Sequence, residues 1–153
     1  MIILIIDGQG GKLGKQLVEK CMVSKSPEDT VIAVGTNAIA TANMLKAAPD
    51  EAATGENAIV VCSRKADVIC GPIGIVIADA MNGEVTPKAA CAVGQSTARR
   101  ILLPVNKCDT IVVGIEKSMG ELAEEAAKKI LNAECRMQNL SRRANGLRQE
   151  TDL

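Results

Sequence analysis

The potential for binding and reactivity is concentrated near the start of the chain. An apolar run, Ile2-Ile3-Leu4-Ile5-Ile6, empties into Asp7-Gly8-Gln9-Gly10-Gly11-Lys12-Leu13-Gly14, and an amphipathic stretch from Leu13 to Val23 follows. The order is strand, glycine turn, helix. Such a turn leaves backbone N–H groups without partners at a helix N-terminus, where the macrodipole favours negative charge, so a phosphate is the expected occupant. Asp7 reads in two ways, as a carboxylate facing a ligand or as a cap on the turn. Two later strands run into glycine turns of the same kind, Gly35-Thr36-Asn37 after Val34 and Gly71-Pro72-Ile73-Gly74 after Cys70. The expected binding residues are therefore Asp7, Gly8, Gln9, Gly10, Gly11, Lys12, Leu13 and Gly14, with Gly35, Thr36, Asn37, Gly71 and Gly74 from the neighbouring strand ends.

Catalysis is harder to place. With no histidine in the chain, a general base would have to be Asp, Glu, Lys or Cys, and no nucleophile stands in a convincing pairing with one. Glu56-Asn57 and Lys107 are further polar groups that could reach the same edge, although a solvated loop is the simpler account of each. Gly14-Lys15 is not a P-loop, because Gln9 stands where the first glycine belongs and Gln16 where a hydroxyl should hold magnesium. The six cysteines contain no C-x-x-C pair and fit no zinc spacing. Most have apolar neighbours, as reduced, buried thiols do.

Hydrophobic periodicity supplies the elements that hold these groups. Leu13, Leu17 and Cys21 recur at i, i+4, i+8, while Lys12, Lys15, Gln16, Glu19 and Lys20 fall largely on the opposite face, which predicts the first helix. Thr30–Val34 reads as a buried strand, and an Ala-rich helix from Ala38 to Ala47 stops before Pro49. Asp50 to Asn57 reads as a loop, Ala58–Cys62 as a third strand by its β-branched content, and Asp67–Cys70 as a fourth. The link between those two strands is too short for a parallel crossover, which normally takes about a dozen residues. Ile75 to Met81 reads as helical, and Thr86-Pro87 opens another helix as N-cap and N1. Ile101–Val105 is a strand that Pro104 pushes to a sheet edge, and Thr110–Gly114 is the last strand. Ser118 and Glu121 form a capping box for a helix lined by Leu122, Ala126 and Ile130.

Strands alternating with helices predict a Rossmann-like α/β fold, a mainly parallel sheet of about five or six strands with helices on both faces and ligands at the strands' carboxyl ends. One domain over residues 1–132 is expected, followed by a polar, Arg-rich helix or tail over 133–153. The core must be aliphatic, since the chain has no Phe, Tyr or Trp. Lys plus Arg equals Asp plus Glu at 18 each, and no aromatic ring offers a stacking platform, so nucleic acid is not an expected partner. The opening apolar run is too short to span a membrane and lacks a basic leader, which predicts a cytoplasmic protein. The apolar stretch Ile73 to Met81 must be buried or form a subunit contact, and a homodimer is expected because a chain this short has no separate domain to close a cleft.

Gly8, Gly11 and Gly14 fit the G-x-x-G-x-x-G form of the dinucleotide-binding turn, and Gly8 to Leu17 resembles the opening of NAD(P)-dependent reductases of the dihydrodipicolinate reductase type. That resemblance implies NAD(P) or another nucleotide as cofactor. Two positions depart from it. Asp7 would set a carboxylate beside a pyrophosphate, and Gly35-Thr36-Asn37 supplies no acidic residue for the ribose hydroxyls. Together with Thr54-Gly55-Glu56-Asn57-Ala58 and Leu103-Pro104-Val105-Asn106-Lys107, the three glycine turns are similar to a family of short, uncharacterised bacterial proteins, a domain of unknown function. The resemblance implies no activity, only that these loops are a working surface. The expectation is a protein that binds a nucleotide or small phosphorylated ligand. The alternatives are a small reductase or transferase acting on a phosphorylated metabolite as a homodimer, or a structural or partner-binding protein without a nucleotide.

Overall fold

The structure, a computed structural model, describes residues 1–105, 110–113, 116–132 and 141. Its elements run β1 (Ile2–Asp7), α1 (Lys12–Ser24), β2 (Thr30–Gly35), α2 (Ala38–Leu45), β3 (Glu51–Thr54), α3 (Glu56–Lys65), β4 (Val68–Pro72), a single 3-10 turn (Ile73–Val76), α4 (Pro87–Gln95), β5 (Arg99–Leu103) and α5 (Met119–Leu131). All five strands are parallel, in the order β3-β2-β1-β4-β5. This is the Rossmann-like α/β architecture, with the strand order reversing direction beside β1.

The central strand explains its own composition. A parallel strand covered on both faces has no solvent side, so its residues need not alternate. Ile3 and Ile5 join one core with Leu13, Leu17, Val18 and Cys21 of α1, Met44 of α2, and Ala123, Ala126, Ala127 and Ile130 of α5. Leu4 and Ile6 join the other with Ile59 and Cys62 of α3 and Ala89, Ala90 and Val93 of α4. Alanines at these helix faces let the helices lie close on an aliphatic sheet. The register then brings the carboxyl ends level, with Asp7 opposite Gly35 and Gly35 opposite Thr54.

Between β2 and β4 the structure corrects the sequence reading. Residues 58–62 are not a strand but the interior of α3, and the expected loop from Asp50 to Asn57 contains β3. Ile59, Cys62 and Ser63 turn one face of α3 inward at i, i+3, i+4 spacing. β-branched content pointed to a strand there, yet a parallel β3–β4 connection requires a crossover, and tertiary context overrides propensity. β3 went unseen because Glu51-Ala52-Ala53-Thr54 is a short, mostly exposed edge strand with no apolar run. The overly short link between two strands thus disappears.

Two further segments differ in detail. Helicity after β4 stops at the 3-10 turn, and Asp79, Met81, Asn82 and Gly83 all take left-handed backbone conformations that no helix to Met81 accommodates. Ile75 and Met81 are buried in the chain's own core, which accounts for much of the apolar character of this stretch. Residues 110–113 do not join the sheet, and Ile111 and Val113 are exposed, whereas a strand inside such a sheet would bury both faces. Gly114 and the expected tail, apart from Ser141, lie outside the described residues. The capping box at Ser118 and Glu121 and the cap and first position at Thr86 and Pro87 are as expected. No helix among the described residues is long and apolar enough to cross a membrane.

Candidate functional site

The glycine turn between β1 and α1 sits at the carboxyl edge of the central strand, and its amide hydrogens divide into two groups. Asp7 is buried, its Oδ1 accepting from the Gly8 amide at 2.8 Å and its Oδ2 from the Gly14 amide at 2.6 Å. Of the two sequence readings of Asp7, the geometry of these bonds is that of a cap. Gly11 donates to the Gly8 carbonyl, and Gln9 donates to Glu84 Oε2 at 2.7 Å. No acceptor lies on the amides of Gly10, Lys12 or Leu13 among the described residues. Lys12 and Leu13 are the first two residues of α1, where the helix dipole is positive.

Gly10 and Gly11 have opposite duties. Gly11 has φ 65°, and a Cβ there would stand 2.5 Å from the Ala40 carbonyl oxygen, so α2 is packed directly on the turn. A Cβ on Gly10 would meet nothing within 4 Å. One glycine closes the fold, and the other leaves an approach open.

That approach leads into a cavity of about 450 Å³ lined by Asp7, Gly8, Gln9, Gly10, Gly11, Lys12, Leu13, Gln16, Pro72, Gly74, Met81, Val105 and Met119. Its volume lies within the range of small-molecule sites. It opens between the ends of β1 and β4, at the point where the strand order reverses, which is where open α/β sheets take ligands.

On the β2 side the turn is covered. Glu84 Oε2 accepts from Thr36 Oγ1 at 2.6 Å and Asn37 Nδ2 at 2.8 Å as well as from Gln9, and Asn37 Nδ2 also donates to the Gln9 carbonyl. Met81, Thr36 and Glu84 crowd the position a Gly8 side chain would take. A carboxylate from a distant segment thus stands at the end of β2, engaged by the protein's own donors. Burial alone would raise the Glu84 carboxyl, but the bonds from Thr36, Gln9 and Asn37 hold it below the ordinary value of 4.5. With the folded value depressed, the staple stabilises above about pH 4.5 and is lost as pH falls through the folded value. Wild-type stability is accordingly expected to fall more steeply than that of Glu84→Gln below pH 4.5, measured by urea unfolding at each pH; parallel curves would contradict the staple.

The structure therefore gathers Asp7 through Leu13 and Gly74 of the expected residues around one cavity. Gly14 lies beneath it on Asp7, Gly35, Thr36 and Asn37 stand on the covered β2 side, and Gly71 packs against the Ile6 backbone. Glu56 goes elsewhere, accepting from Thr86 Oγ1 and pairing with Lys88, and Asn57 does not line the cavity. Lys107 lies outside the described residues. Met81, Met119 and Glu84 were not singled out from sequence as binding residues, and Pro72, Val105 and Gln16 stood in quoted segments without a binding role. Met81 had a signal in the apolar run that ends on it, whereas Glu84 had none, since its partners are far away in the chain.

Chemical machinery at this edge is sparse. Burial pushes the Cys21 thiol up to about 12 and raises that of Cys70 as well, so neither offers a thiolate near neutral pH. Among the described residues no cluster of three or more His, Cys, Asp or Glu could hold a metal. What the arrangement provides is a shaped, mainly apolar cavity with two helix-end amides and one lysine at its rim. No curated protein and no solved structure matches the chain. The model of one family, described as Domain of unknown function (DUF3842), matches residues 2–136, and the chain belongs to that family.

Proposed function

We propose that this protein binds a nucleotide or a similarly small phosphorylated metabolite in the cavity over the glycine turn, with the phosphoryl group on the amides of Lys12 and Leu13. One observation carries the reading: these two amides, at the positive end of α1, border a cavity at the strand-order reversal and have no acceptor among the described residues. Asp7 turns both oxygens onto Gly8 and Gly14, so its charge is already engaged, and exposed Lys12 adds a positive charge at the rim.

Size favours the smaller ligand. A dinucleotide lies across both sides of the central strand, and here Glu84 and Met81 cover the β2 side. NAD(P) belongs to the same reading only if that cover lifts. A homodimer also belongs to it, since exposed Met119 lines the cavity and a second copy seated there would shut it from water. Light scattering that gives a monomer at all concentrations removes the dimer and leaves the site.

Gly10→Ala provides the test, because Gly10 lines the cavity and a methyl group there would enter open space without touching the fold. Calorimetric titration with AMP, NAD and inorganic phosphate is expected to show binding of AMP and phosphate to the wild-type chain. Gly10→Ala should weaken it at least about tenfold, the effect of losing close backbone approach to a phosphate, with the melting temperature unchanged. Absence of binding by all three probes, or equal binding by Gly10→Ala, overturns the proposal.

A further inference from the structure

The side of α2 turned away from the glycine turn is apolar and bare. At about 3.6 residues per turn, Ala38, Ala42 and Leu45 fall on the opposite side of the helix from Ala40, whose backbone rests on Gly11. All three are exposed, Leu45 at 52%, and Ile39 beside them is 68% exposed. From Ala38 to Leu45 the helix carries no charge, and Lys46 just beyond it is bonded to Asn43 Oδ1. By contrast α1 and α5 carry lysine–glutamate pairs on their solvent sides. An uncharged apolar face has the composition of an interface centre.

The sheet edge beneath this face is open as well. β3 ends the strand order, and Gly55 after it donates to the Gly35 carbonyl of β2. Main-chain groups alternate sides along a strand, so those of Ala52 and Thr54 turn outward, with no partner among the described residues. Edge strands are normally guarded by charge or proline. β5, at the other edge, opens on Arg99-Arg100 and runs into Pro104. The one charge on β3 is Glu51, at its first position and paired with Lys65.

We infer that a second copy of this chain docks here about a two-fold axis beside β3, the two β3 strands pairing antiparallel and the two α2 helices packing on each other. The spacing of the layers agrees. α2 packs on β2 and β3, with Thr41 Oγ1 3.3 Å from the Ala53 carbonyl oxygen and 2.7 Å from Thr54 Oγ1. A helix riding between those strands stands about 4.8 Å from the axis, one strand spacing. Two of them are then about 10 Å apart, the separation at which helices pack, and Ala38 and Ala42 leave room for the contact. With Ala53 at the axis, Ala52 exchanges main-chain bonds with Thr54 of the second copy, and Glu51 stands opposite Gly55 rather than another carboxylate. The face offers no charge with which to orient a different protein, and two copies of it meet without like-charge repulsion, as a self-complementary contact requires. None of these residues lines the cavity, so the contact is distinct from a copy seated on Met119 and stands independently of any ligand.

Sedimentation equilibrium of the whole chain tests the inference. The wild-type chain is expected to form a dimer, and Leu45→Glu, which sets a carboxylate from each copy into the helix contact, should raise its dissociation constant at least about tenfold. Ala52→Pro should do the same by removing an outward amide from the edge while sparing the ladder to β2. Both residues are exposed in the single chain, so the far-ultraviolet circular dichroism of each variant should match that of the wild-type chain. Ala42→Cys gives a readout that needs no loss of binding. Beside the two-fold axis its two thiols come within disulfide reach, and mild oxidation should yield a covalent dimer that the parent chain does not form. A wild-type chain that is monomeric at every concentration overturns the inference. So does a dimer that survives either Leu45→Glu or Ala52→Pro, or one whose Ala42→Cys form does not cross-link.

Discussion

Gly11→Ala is expected to lower the melting temperature by about 6–12 °C. The alanine must hold a left-handed conformation, at a cost of about 1–2 kcal/mol, and its methyl group must push the backbone of Ala40 away, an overpacking that adds about 1–3 kcal/mol. A total near 3 kcal/mol in a chain of this size gives the stated shift, at about 2–4 °C for each kcal/mol. Differential scanning calorimetry measures it directly, and a change below about 2 °C would mean that α2 does not rest on the turn. The same geometry decides which glycine can report on a ligand. Gly11→Ala would lose binding by losing the fold, while Gly10→Ala separates the two.

Asp7→Ala should be comparably damaging for an electrostatic reason. The carboxylate serves two buried amides, Gly8 and Gly14, and each orphaned donor costs about 1–3 kcal/mol, so a loss of about 2–5 kcal/mol is expected on chemical denaturation. Asp7→Asn retains one acceptor and turns an N–H toward the other donor, which places its stability between those of the wild-type and alanine forms. Amide hydrogen exchange at Gly14 gives the site-specific readout, with protection falling in the same order. An alanine variant as stable as the wild-type chain would remove Asp7 from its place as the cap.

Much of the sheet was legible in the sequence because parallel strands sealed on both faces advertise themselves as unbroken apolar runs. Ile2–Ile6 and Thr30–Val34 needed no context, and the capping box at Ser118 and Glu121 is local chemistry on adjacent turns. β3 and α3 were missed together. Glu51–Thr54 becomes a strand only because β2 offers its edge, and Ala58–Cys62 becomes a helix because the chain must cross the sheet. Neither requirement is written in the segment that obeys it.

The site divides along the same line. The strand-to-helix glycine turn was legible because its geometry depends on local backbone freedom and short spacing, whereas of its two companion turns only Pro72 and Gly74 reach the cavity. Gln16 looked like a member of the solvent face of α1, and nothing in its own neighbourhood places it on a cavity. Glu84 was invisible for a related reason, since a carboxylate on an irregular turn has meaning only beside the donors it meets. The absence of an acidic residue from Gly35-Thr36-Asn37 is written in the local sequence, and only three-dimensional packing brings the Glu84 carboxylate to that strand end.

Glu84 reaches Gln9 across 75 positions of chain and Asn37 across 47. Closing spans of that length is entropically slow and comes after local turns and helices have formed. A chain emerging from synthesis can therefore pair β1 with β2 and build α1 well before residue 84 appears, but its glycine turn will lack its cover. Access to the β2 side of the turn would then differ between the nascent and finished protein, and protection of the Gln9 amide in pulse-labelled exchange would be among the last signals to arrive.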